Sequence, residues 1–358
     1  MTLKSIARIA ITVLVTGLSA PGRLGTAWAQ TPARTHALSV ALYGAHGVSP
    51  QAVRVDELCS CYFHSSLAAL AKAAPETLRS AISQNAGGGY TVRFFQGPGE
   101  IVFPADVESS RTHSYDHSEG NWVLVLMRGY AQRAVRQGLV TAIKKSDVIS
   151  ADAKPVALSW LDHSGTLLVA YDRAIRLAVS QDGKLDKATF QLGLATQMKA
   201  LSVPAAEAAM LVGFLDDTRF FLRLSNTVRQ DGEVFVAYKA SGQGGLPVRV
   251  IEAFMGNAYV LFVADNEMTM KYLRRLHQGG MAMVAVSWGV PPSADYASAN
   301  WWVNDHAYTV LDYDEATQTV SMRNPWGSHP YPDGFFTLPL AKFLKSFESC
   351  SFSETPAK

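Results

Sequence analysis

The chain has 358 residues, 48% of them hydrophobic and 17% charged, with a formal net charge of +2. That apolar share is ample for a packed core and excludes a disordered chain, while the near-neutral balance gives no case for nucleic acid or an anionic membrane as partner.

The first 29 residues carry Lys4 and Arg8, an apolar run from Ile6 to Leu18, and then Ala27-Trp28-Ala29 before Gln30. This is the pattern of a secretory signal peptide cleaved near Ala29. The run is too short to span a bilayer, and no later segment reaches spanning length, so no membrane span is expected. Lys4, Arg8 and Arg23 leave with the leader, so the mature charge is +2 − 3 = −1. The expected location is periplasmic or extracellular.

Residues 61–71, beginning Cys61-Tyr62-Phe63, place Phe63, Leu67 and Leu70 at helical spacing among small residues, and Pro75 marks the helix end. Cys61 then opens the first turn, where the positive end of the helix dipole favours a thiolate. Three cysteines leave an odd one in an exported chain. Either Cys59 pairs with Cys350 and Cys61 keeps its thiol, or Cys59 and Cys61 close a small ring that switches the site off. His113 and His117 have i, i+4 spacing, but Ser114, Asp116 and Gly120 around them read as a polar loop, so no metal is assigned there.

The stretches Pro155–Leu161 and Thr166–Tyr171 read as strands about a His163-Ser164-Gly165 turn. Ala205–Leu215 is helix-prone, and the stretches 220–224 and 233–238 flank an Asp231-Gly232 turn signal. The Gly242–Gly245 run lacks the surrounding pattern of a dinucleotide site, and no cofactor is expected. Toward the end, Asp305-His306-Ala307-Tyr308 opens a β-rich run. A second run, 317–322, leads into Arg323-Asn324-Pro325-Trp326-Gly327. His306 and Asn324 are thus expected at the ends of neighbouring strands joined by a turn at Asp314–Ala316. Asn324 can fix the tautomer of His306 without competing for its proton, the arrangement of a Cys-His-Asn acyl-transfer site. His64, one turn after Cys61, is a second candidate base and ranks below His306, which alone has an Asn downstream. Trp301-Trp302 either wall the groove or belong to the core.

Taken in order, these segments resemble the calpain-like, papain-fold cysteine proteases, in particular their bacterial secreted members. The similarity runs through the helix at Cys61, the 75–95 stretch, the Trp-led segment 122–131, Gly244-Gly245 to Gly256, and the motifs at His306 and Asn324. The resemblance implies an α+β fold with a helical left subdomain carrying Cys61 and a β-rich right subdomain carrying His306 and Asn324. Its boundaries here are 30–136 and 244–358, with 137–243 as an inserted α/β subdomain that either gates substrate or merely elaborates the fold. The implied activity is an endopeptidase acting on protein or peptide through Cys61, His306 and Asn324. Trp326, and by position Trp302, would shield the imidazole or line the cleft. The same Cys-His pair also serves transferases and deamidases. Calcium is implied by better-known relatives only, and no EF-hand pattern is present.

One departure matters. Six residues before the nucleophile the family carries a Gln whose amide donates to the oxyanion, and Val55 stands there. One lost donor costs about 10²–10³ in rate. A slow enzyme remains if the Cys61 backbone N–H contributes, and a catalytically impaired binding module is the alternative. Gln51 could substitute only through a four-residue loop shift that the Pro50 and Leu58 registers oppose.

Overall fold

The computed structural model describes residues 41–55, 60–86, 88–113, 116–147, 149–163, 165–178, 185–205, 245–293, 301–327 and 332–354. The leader at 1–29, Cys59 and the segments at 206–244 lie outside them. The chain divides into two compact units, one of 38–130 with 241–358 and one of 1–37 with 131–240. Secondary structure is mixed α+β with antiparallel sheets. Among the described residues no helix is long and apolar enough to cross a membrane.

The first unit begins its regular structure with α1, Cys61–Ala73, in which every residue from Cys61 to Ala71 is buried. Ala73 closes the helix because Pro75 cannot continue it; Pro75 instead opens α2, Pro75–Ala81, at the position where a missing N–H costs nothing. Three short strands follow, β1 (Ile82–Gln84), β2 (Tyr90–Val92) and β3 (Glu100–Val102), paired in that order. Then come α3 (Pro104–His113) and α4, Trp122–Lys145, whose later turns belong to the second unit.

After the second unit the chain returns in α8, Pro247–Met255, ended by Gly256 at φ 81°. A Cβ there would also collide with the ring of Phe95, so only glycine caps this helix. The rest is a six-stranded antiparallel sheet in the order β4 (Tyr259–Phe262), β9 (Phe347–Glu354), β5 (Met281–Ser287), β6 (Ala307–Asp314), β7 (Thr319–Arg323), β8 (Phe335–Pro339). β5 is buried at almost every position, as a central strand covered on both faces must be. One cover is α1, packed on β5 and β6. An apolar cluster with α9 (Glu267–His277) and α10 (Leu340–Ser346) gathers Leu273, Tyr308, Phe336, Phe343 and Phe347.

In the second unit the described residues form helices α5 (Ala153–His163), α6 (Gly165–Ala178) and α7 (Lys187–Ala200). This corrects the two strands expected over 155–171. Leu161, Leu167, Leu168, Tyr171 and Ile175 are all fully buried, and from 167 onward their spacing is helical. Pro155 falls in the first turn of α5, where it breaks no hydrogen bond. The β-branched and aromatic content of the stretch was outweighed by packing.

Candidate active site

His306 sits immediately before β6 and Asn324 immediately after β7, and antiparallel pairing of these strands, with Thr309 opposite Arg323, brings both to one edge of the sheet. His306 Nε2 lies 3.0 Å from Asn324 Oδ1. The Trp326 backbone N–H donates to the same Oδ1 at 3.1 Å. A backbone donor identifies that atom as the acceptor, so His306 must donate from Nε2, and Nδ1 is left with the lone pair. Asn324 is itself pinned by its N–H to the Gly334 carbonyl at 2.9 Å. Trp326 covers the imidazole at 4.7 Å between centroids, and Tyr308 meets it edge-on at 4.8 Å.

The backbone of His306 is clamped by the last residue of β5. Its N–H donates to Ser287 Oγ at 3.0 Å, and Ser287 Oγ donates to the Val303 carbonyl at 2.6 Å. Asp305, just before, has φ 48°, a left-handed turn that Asp tolerates better than bulkier residues. Ser287→Ala removes the acceptor and leaves the buried His306 N–H unsatisfied, so a loss of about 1–3 kcal/mol is expected in urea denaturation.

His306 is 3% exposed, and burial pushes its pKa down to about 4, with the Asn324 bond pulling weakly upward. The ring is therefore neutral at pH 7, with its lone pair on Nδ1. The sign for stability follows. Between the ordinary 6.5 and about 4 the unfolded chain binds a proton that the folded chain does not, so stability falls as pH falls through that window. The loss approaches about 3 kcal/mol. Denaturation at pH 7 and pH 4.5 should show it, and His306→Gln should flatten this part of the slope.

Cys61 is the first residue of α1 and 7% exposed. Ser65, one turn further on, donates to the Ala307 carbonyl at 2.8 Å, and Thr309 Oγ1 donates to the Ser65 carbonyl at 2.9 Å. The helix of Cys61 is thus bonded to the strand that His306 opens, within one residue of His306. The Tyr308 ring meets His306 edge-on, and its hydroxyl is pushed up by burial, with the Val303 N–H that it accepts pulling the other way. Cys61 and Cys350 both carry thiols. Cys350 lies in mid-β9 opposite Ala285 and Leu261, and burial pushes it up to about 12. Cys59, the third cysteine in both pairings weighed above, lies outside the described residues.

Val55 is fully buried, its N–H donates to the Pro325 carbonyl at 3.0 Å, and it bridges Asp116. Gln51 stays exposed in a 3₁₀ turn over Pro50–Ala52. Trp302 packs in the apolar cluster and bonds Asn304 through Nε1 at 2.8 Å, the core place of the two weighed for it. Its partner Trp301 stacks on Phe336, so the pair serves the core of the sheet.

His64 is not a free base. Its Nδ1 faces the Ser60 carbonyl and its Nε2 faces Asp116 Oδ2, both at 3.0 Å. Asp116 is the residue that reading the sequence passed over. It lies in the stretch weighed for metal binding, where a buried carboxylate partner for a buried histidine has no signature of its own. His113 ends α3 and His117 follows in a loop, so the two do not share a helix face. Among the described residues no group of three or more His, Cys, Asp or Glu side chains could hold a metal ion.

No family model matches the chain, and no curated protein matches it. Among solved structures it is similar to PepW from Lactobacillus rhamnosis HN001, with 9% identity over 90% of this chain and 82% of PepW, at a TM-score of 0.28. A likeness that slight carries no argument about fold or chemistry.

Proposed function

We propose that the protein is an exported, papain-fold cysteine endopeptidase of calpain-like type, using Cys61, His306 and Asn324. One observation carries the reading: an Asn-oriented, Trp-covered imidazole with its lone pair on Nδ1 immediately precedes the strand to which the helix headed by Cys61 is hydrogen-bonded. In this reading His306 Nδ1 takes the Cys61 proton, and the sulfur adds to a peptide carbonyl. The imidazolium then protonates the leaving amine as the C–N bond breaks, giving a thioester. Water, deprotonated by His306, hydrolyses the thioester and returns the thiol. The helix dipole at Cys61 favours the thiolate and faces the developing oxyanion. Cleavage of a reduced, carboxymethylated protein, and its loss in Cys61→Ala, tests the proposal.

Val55 favours a second reading, a module that binds peptide in the same groove without cleaving it. Its side chain offers no donor and its N–H is already engaged by Pro325. Binding of the same carboxymethylated protein, undiminished in Cys61→Ala and without cleavage by the wild type, would select it.

A further inference from the structure

The His64–Asp116 pair has no role in the mechanism above, yet it is buried in the first turns of α1, with side chains 1% and 0% exposed. Both ring nitrogens face oxygen acceptors. Nε2 meets a carboxylate whose other oxygen already accepts the Ser118 N–H at 2.7 Å, and Nδ1 meets a backbone carbonyl. Neither acceptor brings a proton, so both contacts are bonds only when the ring carries two protons. The Ser60 carbonyl also accepts the N–H groups of Phe63 and His64, which makes a lone pair on Nδ1 at 3.0 Å repulsive.

We propose that His64, held as an imidazolium by Asp116, is a positioning residue that places a fixed positive charge in the first turn of the nucleophile helix and makes the Cys61 thiol more acidic. The Ser60 carbonyl carbon is bonded to the Cys61 nitrogen, so the cationic end of the pair points at the peptide unit that enters Cys61. Asp116 lies on the far side of the ring. The cationic end of the pair is therefore nearer the entry to Cys61 than its anionic end, and favours a thiolate there. Stability is a poor reason for this arrangement, since a buried ion pair can usually be replaced by apolar side chains at no loss. A need for charge is a better one. Burial keeps His306 neutral at pH 7, so it is no standing cation for a thiolate.

The titratable group in hydrogen-bond contact with the ring is Asp116; Phe63 meets it edge-on. Elements packed on α1 also carry Glu76 and Arg79, paired with each other in α2, Arg249 and Glu252 in α8, and Tyr308, Asp312 and Tyr313 in β6. The same 116–118 segment is tied to the chain before the nucleophile helix, through Arg54 N–H to Ser118 Oγ at 2.9 Å and His117 N–H to the Arg54 carbonyl at 3.1 Å.

The functional meaning rests on Cys61 being the nucleophile, but the test needs no substrate. The rate of Cys61 carbamidomethylation by iodoacetamide is followed against pH by peptide mass spectrometry in the wild type, His64→Gln and Asp116→Asn. Gln keeps a donor for Ser60 and removes the charge. Asn keeps an acceptor for Nε2 and removes the counter-ion. The labelling midpoint should rise by about one unit in both, about tenfold slower labelling below the midpoint, with the Cys350 rate unchanged. An unchanged midpoint in His64→Gln overturns the proposal. If that variant does not fold, an unchanged midpoint in Asp116→Asn does so. A shifted midpoint in a protein that cleaves nothing would leave this proposal standing and end the endopeptidase reading; cleavage with no shift would do the reverse.

Discussion

Cys61→Ala is expected to reduce cleavage of an unfolded protein by at least about 10⁴-fold, to the background of the buffer. The loss is one of chemistry. Alanine keeps the first turn of α1, and the bonds from Ser65 and Thr309 that tie this helix to β6 do not involve the sulfur. The variant should therefore melt close to the wild type and retain its near-ultraviolet dichroism. His306→Ala should cost a similar factor, because the proton that leaves Cys61 and returns to the amine then has no carrier. The two losses should not add, as expected for residues that act as a unit. Cleavage that survives in Cys61→Ala would assign it to another group or to a contaminant.

Val55→Gln is expected to raise kcat/KM by about 10²-fold, the value of one oxyanion donor. The register is already fixed: Val55 bonds Pro325, which follows the orienting Asn324, and it bridges Asp116. A side-chain amide at this position is held by the same backbone bonds. The position is fully buried, so an amide that failed to reach the site would cost about 1–3 kcal/mol of stability instead. Activity and melting temperature therefore separate the outcomes. A gain identifies the missing donor as the defect. An inert variant beside an inert wild type moves the protein to the binding module.

Much of the site's local structure can be read directly from residue order. Cys61 heading a helix that Pro75 ends, and His306 and Asn324 at the ends of a hairpin turned at Asp314, follow from apolar spacing and turn chemistry that act over a few residues. What escaped was decided by distant partners. The 155–171 stretch has strand-forming residues, and its helices exist because packing buries Leu167, Tyr171 and Ile175 together. Trp302 beside His306 in sequence says nothing about which way the ring turns, and Phe336 and Trp301 draw the pair into the core. His64 and Asp116 are 52 residues apart, and neither carries a local sign of the other.

The most direct test of the central claim is the pH profile of iodoacetamide labelling at Cys61 in the mature wild-type protein, with Cys350 as internal control. Cys350 is 2% exposed and pushed up to about 12, so it should label slowly throughout. An assembled site predicts fast labelling of Cys61 that persists well below pH 7. Labelling that rises only near pH 8.5, as for an ordinary thiol, or no labelling because Cys61 is oxidised, would contradict it.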